Sequence, residues 1–200
     1  MSVISGTAFR TLLHFSIPVW LIYYFLEWKT FNPLPVIWGI VVIVWSLEIL
    51  RLKKKVFIFG MREYEKKRVA SYAWGAVGVA VTLSLLPFEL AVPVLFAGGF
   101  VDPVCRISRS MKISHSMKTT KFCYHYPLFP ILLAYFIYIA AGILFGNSDP
   151  VSILIMLSAP LVTVISEYPR YVSLDDDMLI LGVPAVYIYI VSYLSCLVGL

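Results

Sequence analysis

Long apolar segments alternate with short polar ones along the whole chain, and this pattern predicts membrane-spanning helices. A helix needs about 20 predominantly apolar residues to cross a hydrocarbon core roughly 30 Å thick. Pro87 and Glu89 divide the third segment from the fourth, because Pro cannot continue a helix and a carboxylate prefers the interface. We therefore expect an all-α fold, a polytopic membrane helical bundle forming one domain over residues 1–200. The predicted spans are about 11–28, 33–52, 69–87, 89–105, 128–146, 150–168 and 178–199.

Composition supports the same class of protein. Hydrophobic residues make up 60% of the chain and charged residues 14%, with a mean hydropathy of +0.89. A soluble domain is about a quarter charged, so there is little room for a separate soluble domain. We expect no secretory signal peptide. The three cysteines show no metal-ligand spacing and are interpreted as small apolar residues.

The distribution of charge predicts the orientation. With seven spans, all of the 16 Lys and Arg residues except Lys29 fall on one side of the membrane. Merging the third and fourth spans into one would instead divide the Lys and Arg residues almost evenly between the two sides of the membrane. The positive-inside rule therefore favours seven spans, with a cytoplasmic N-terminus and an external C-terminus. All of the 11 acidic residues except Glu27, Glu89 and Asp149 also fall on the cytoplasmic side, which places the expected chemistry at the cytoplasmic interface.

Three adjacent carboxylates, Asp175, Asp176 and Asp177, lie between two apolar segments. Adjacent carboxylates repel one another, and the repulsion grows as the local dielectric falls. A cation is therefore expected beside them. The leading candidate is a divalent metal that carries a phosphorylated ligand.

Two other polar positions are candidates for the same site. Asp102 follows an apolar run, and the preceding Gly98 and Gly99 permit close backbone approach. It is interpreted either as a carboxylate at the headgroup level or as a metal or nucleotide ligand facing the acidic triplet. Lys118 and Thr119 could contact phosphate oxygens, the Lys as a point charge and the Thr as a hydroxyl donor.

Other polar residues have simpler interpretations. Glu48 is expected to pair with Arg51 across one helix turn. The basic segment 51–68 is expected to contact anionic headgroups. His14 is interpreted either as a buried histidine satisfied by one hydrogen bond or as a catalytic residue, and both interpretations stay open.

In chain order, these polar elements resemble the CTP-dependent lipid kinases, a family that includes dolichol kinase, phytol kinase and the CTP-type diacylglycerol kinase. The elements similar to those of the family are Arg10 to His14, Glu48 to Arg51, Arg62 to Glu65, Asp102, Lys118-Thr119, and Glu167 followed by Asp175-Asp176-Asp177-Met178-Leu179-Ile180. The chain departs from the family pattern where Val101, Ser108, Lys121, Phe122, Asp177 and Leu181 stand in place of Gly, Gly, Glu, Gly, Asn and Pro.

The resemblance implies transfer of a phosphoryl group from CTP to the hydroxyl of a membrane lipid alcohol, a polyprenol such as dolichol. It implies Mg²⁺ held by Asp102, Glu167 and Asp175–Asp177, with Asp102, Asp175 and Asp176 as catalytic residues and Asp176 accepting the alcohol proton. Lys118, Thr119, Arg106 and Lys121 would bind the nucleotide phosphates. The expected partners are CTP, the lipid alcohol and the bilayer, with no nucleic acid.

Two alternatives stay open. One is a cytidylyltransferase that joins CTP to a lipid phosphate. The other is a non-catalytic lipid-binding protein, in which the polar cluster is a structural ion network. The short chain and loops favour the plasma membrane of a prokaryote, with the site facing the cytoplasm.

Overall fold

The computed structural model describes residues 11–26, 33–56, 65, 67–116, 128–167 and 175–198, and gives the backbone alone for 106–116. This part of the chain is helical and contains no strand. The helices are α1 (Thr11–Phe25, with a 3-10 turn at Ile17–Leu21), α2 (Leu34–Lys54), α3 (Ser71–Leu85), α4 (Phe88–Ser116), α5 (Leu128–Phe145), α6 (Pro150–Ser166) and α7 (Asp176–Val198).

The helices lie where the apolar pattern predicts helices, which confirms the all-α class. Within the described ranges, four of them are long and apolar enough to cross a bilayer: α2, the Phe88–Cys105 part of α4, α5 and α7. The other three are shorter, and α3 and α6 have 15 and 17 residues where about 20 span the hydrocarbon core. The helix lengths thus support a membrane-embedded bundle with four candidate spans.

Helix α4 is longer than its predicted span. It continues past Cys105 to Ser116, so residues 106–116, which the charge pattern assigned to a loop, are helical. This segment contains no Gly or Pro, and nothing in it stops a helix. Asp102 therefore lies inside α4 rather than at its end.

Helix α7 is the central element of the bundle. It packs against α3, α4 and α6, while α5 lies between α4 and α6, α1 packs on α4, and α2 packs on α3. Small residues permit this packing: a Cβ added at Gly78 of α3 would lie 2.9 Å from Leu181 Cβ on α7. The outward faces are apolar, as at Phe136 and Ile143, which are 70% and 77% exposed. Such faces are typical of contact with lipid chains.

The two ends of the bundle differ in chemistry. At one end the ring of Phe88 contacts those of Phe25 and Phe145, with centroid distances of 5.2 and 5.5 Å. There the Tyr24 hydroxyl donates a hydrogen bond to the Leu86 carbonyl at 2.7 Å. The opposite end, about 25 Å away along α6, collects the buried carboxylates. The fold thus separates an aromatic end from an acidic end.

Candidate functional site

Three helices bring His14, Asp102 and Asp177 together at the acidic end. The Nε2 atom of His14 lies 3.3 Å from Asp102 Oδ2 and 3.7 Å from Asp177 Oδ1. The exposed fractions of the three residues are 6%, 0% and 6%. Ionisable groups are rarely buried to this extent unless they are paired or bind a metal. We call His14, Asp102, Glu167 and Asp175–Asp177 the acidic-end cluster.

The remaining carboxylates of the cluster come from neighbouring helix termini. Glu167 follows the last residue of α6 and is 1% exposed. Asp176 and Asp177 form the first turn of α7, where the positive end of the helix dipole stabilises negative charge. Asp175 precedes them, and its Oδ1 accepts a hydrogen bond from the Asp177 backbone N–H at 3.2 Å. The C-terminal end of α6 and the N-terminal end of α7 thus place Glu167, Asp176 and Asp177 beside Asp102.

Glycines allow the three helices to approach closely at this level. A Cβ added at Gly98 would lie 3.0 Å from Leu181 Cγ, and one added at Gly99 would lie 3.0 Å from the His14 carbonyl oxygen. Gly98 is four residues before Asp102, and Leu181 is four residues after Asp177, so this contact lies one helix turn from the carboxylates. The prediction that Gly98 and Gly99 permit close approach is confirmed.

The acidic-end cluster offers three overlapping sets of ligand atoms, one of which is the Asp175–Asp177 triplet itself. Asp102, Glu167 and Asp176 each place one carboxylate oxygen within 4.8 Å of the others, and His14, Asp102 and Asp177 do the same with one nitrogen and two oxygens. The first set consists of hard oxygen donors, which Mg²⁺ prefers. Asp102 belongs to the two sets that combine residues from different helices. The residues therefore fit a divalent cation by donor type and spacing.

Burial and, after it, interactions within the triplet raise the pKa of the Asp175 carboxyl. Together, burial, a hydrogen bond with Asp176 and the charges of Asp177 and Asp176 raise this pKa to about 8, and burial contributes most. Without a cation, this carboxyl holds its proton at neutral pH. A cation at the triplet would favour the ionised form instead.

The structure describes the side chains of only some of the predicted site residues. The structure brings Asp102, Glu167 and the Asp175–Asp177 triplet together, as the sequence predicts. Arg106 lies on α4 one turn beyond Asp102, where the backbone alone is described. Lys118, Thr119 and Lys121 lie outside the described residues, so their proposed contacts with phosphate stay predictions.

His14 is the residue that sequence reasoning did not include among the ligands. Its position four residues after Arg10 gives no indication that α1 packs on α4 at Gly99. The available signals were a polar residue in the first predicted span and the resemblance of Arg10 to His14 to a family element, and they left two interpretations open. The structure places His14 in the cluster.

A second buried polar group lies at the junction of α2 and α3. The Arg51 guanidinium donates two hydrogen bonds to Glu48, at 2.8 and 2.7 Å, and two more to the carbonyls of Glu65 and Arg68, at 3.0 and 2.9 Å. Glu48 also accepts hydrogen bonds from the Ala70 N–H at 2.7 Å and from the Tyr72 hydroxyl. The predicted pairing of Glu48 with Arg51 is confirmed, and the pair fixes the segment that leads into α3.

Comparison of the chain with protein-family models, with curated proteins and with solved structures found no significant match.

Proposed function

We propose that this protein transfers the γ-phosphoryl group of CTP to the hydroxyl of a membrane lipid alcohol, a polyprenol such as dolichol. The observation that supports the proposal most directly is the convergence of Asp102, Glu167 and the Asp175–Asp177 triplet. These residues are far apart in the sequence, yet three of their carboxylate oxygens lie within 4.8 Å of one another. Phosphoryl transfer depends on such a preorganised arrangement, because it consists mostly of positioning and charge stabilisation.

In the proposed site, Asp102, Glu167 and the triplet hold Mg²⁺. The metal ion would neutralise charge on the phosphate oxygens during transfer. Asp102 and Glu167 are fully buried between helices, whereas Asp175 and Asp176 are only partly buried. The buried acids therefore suit a structural ligand role, and the partly exposed acids suit contact with an incoming substrate.

The reaction forms one bond and breaks another at the γ-phosphorus. The lipid hydroxyl oxygen forms a bond to phosphorus, the bond from phosphorus to the bridging β–γ oxygen breaks, and CDP leaves. The hydroxyl proton passes to a carboxylate. Asp176 is the proposed acceptor, because it lies within the ligand set and keeps part of its surface exposed.

Basic residues would bind the nucleotide. Arg106 follows Asp102 by one turn of α4 and is the nearest candidate along that helix. Lys118, Thr119 and Lys121 complete the proposed phosphate contacts. The positive-inside pattern supports seven spans with a cytoplasmic N-terminus and, in this proposal, an acidic end at the cytoplasmic face. The proposed membrane is the plasma membrane of a prokaryote, which the short chain and loops favour. The apolar outer faces would let the lipid alcohol approach from within the bilayer.

One assay separates the candidate functions. Purified protein is incubated with Mg²⁺ and γ-labelled CTP, with dolichol in one reaction and dolichyl phosphate in another. The proposal predicts labelled dolichyl phosphate in the first reaction only. Pyrophosphate release with the lipid phosphate would instead support a cytidylyltransferase. Absence of both products, together with absence of CTP binding, would support a non-catalytic lipid-binding protein.

A further inference from the structure

His14 presents a nitrogen donor to the carboxylates of the acidic-end cluster. Its Nε2 atom is the one that lies 3.3 Å from Asp102 and 3.7 Å from Asp177. All three side chains are more than nine-tenths buried. The imidazole is therefore a member of the buried cluster rather than a surface neighbour of it.

The backbone of α1 fixes this position. Pro18 has no backbone N–H to donate to the His14 carbonyl, and the chain passes into the 3-10 turn Ile17–Leu21 at this point. A Cβ at Gly99 would lie 3.0 Å from the His14 carbonyl oxygen and 3.1 Å from Pro18 Cδ. The His14 backbone and the Pro18 ring therefore lie directly on α4, three residues before Asp102. The imidazole reaches the carboxylates because of helix packing.

The donor atoms fit a single ion of a particular kind. One ligand atom each from His14, Asp102 and Asp177 lies within 4.8 Å of the others, and ligand atoms about 2.0–2.2 Å from one metal ion lie up to roughly 4 Å apart. A small movement of the three side chains toward one another would therefore bring their ligand atoms within reach of one metal ion. Imidazole favours first-row transition ions, whereas Mg²⁺ is usually bound by oxygen ligands alone. Mn²⁺ accepts carboxylates and also takes a nitrogen ligand.

We infer that His14 coordinates the cation of the acidic-end cluster through Nε2, together with Asp102 and Asp177, and that this site consequently binds Mn²⁺ more tightly than Mg²⁺. The inference rests on the proposed function, because it names donor atoms for the cation that phosphoryl transfer would use. It goes further by assigning a nitrogen ligand that the acidic sequence pattern does not contain.

The test detects the nitrogen directly. Full-length protein in detergent is loaded with Mn²⁺, and the electron spin-echo envelope modulation of the bound ion is recorded. A directly bound imidazole gives nitrogen modulation, whose frequencies shift when the protein is produced with ¹⁵N-labelled histidine. This measurement needs no variant and therefore does not depend on the folding of one. Displacement of Mn²⁺ by Mg²⁺ gives the relative affinity.

Two variants extend the test. His14→Asn should abolish the nitrogen modulation and weaken Mn²⁺ binding by more than the roughly 10–100-fold that loss of an outer partner of a metal ligand costs. Asp149→Asn is the matched control, because Asp149 is exposed and caps α6 at the opposite end of the bundle, and Asn also serves as an N-cap. The control should keep both the modulation and the affinity.

The outcomes separate this inference from the proposed function. Saturable Mn²⁺ binding without nitrogen modulation would overturn the role of His14 and leave a cation site of carboxylates alone. Equal or tighter binding of Mg²⁺ would overturn the preference. Absence of saturable binding of either ion would overturn the inference and the proposed cation site together.

Discussion

Gly98 of α4 lies directly against Leu181 of α7, so a Cβ at Gly98 would come within 3.0 Å of Leu181 Cγ. Leu181 is fully buried, and its Cβ also lies close to Gly78 of α3. The side chain is thus held between two glycines and has little room to move. This contact sets the distance between the helix that carries Asp102 and the helix that carries Asp177.

Gly98→Ala should therefore destabilise the protein by about 1–3 kcal/mol, the usual cost of overpacking a core, and should weaken cation binding. Thermal unfolding in detergent with and without Mn²⁺ measures both effects. In the Leu181→Ala background the same substitution should cost less, because the contact that it strains is gone. Gly39→Ala is the control, since an added Cβ meets nothing within 4 Å at that position of α2. An equal cost of Gly98→Ala in both backgrounds would refute this account of the packing.

Glu48→Ala should destabilise the protein by about 3–5 kcal/mol, because it leaves the buried charge of Arg51 without its carboxylate partner. It also removes the acceptor of the Ala70 N–H and the Tyr72 hydroxyl. Thermal unfolding measures the loss. Lys54→Ala, an exposed change three residues after Arg51, should leave the unfolding temperature nearly unchanged. Similar unfolding temperatures for the two variants would contradict a structural role for the buried pair.

Cation binding should depend on pH through Asp175. The pKa of this carboxyl is raised to about 8 in the protein without a cation, so below that pH a proton must leave before the ionised form can meet the metal. Affinity for Mg²⁺ should thus increase as the pH rises toward 8 and change little above it. Calorimetry at pH 7 in two buffers of different ionisation enthalpy counts the released protons. Asp175→Asn should abolish this proton release. Binding of Mg²⁺ by the wild type without proton release would contradict the raised pKa of the Asp175 carboxyl.

Sequence patterns predicted the helices and most of the acidic-end cluster. Hydropathy located the helices of the described ranges because each is an apolar run. Alternating spans predicted one membrane side for Asp102, Glu167 and the triplet. The extension of α4 to Ser116 was not predicted, because polar helical residues resemble a loop in hydropathy. The membership of His14 depends on the packing of α1 against Gly99, and the contacts of Glu48 with Ala70 and Tyr72 depend on the path between α2 and α3. A hydropathy pattern along the sequence contains no information on either set of contacts.

If the acidic-end cluster carries out the proposed phosphoryl transfer, Asp102→Asn should abolish that transfer. The substitution nearly preserves shape and removes the carboxylate shared by the two ligand sets that combine residues from different helices. In the assay with Mg²⁺, γ-labelled CTP and dolichol, the wild type and Asp149→Asn should form labelled dolichyl phosphate, whereas folded Asp102→Asn should form none above background. Undiminished transfer by Asp102→Asn, or no transfer by the wild type to any polyprenol, would contradict the account.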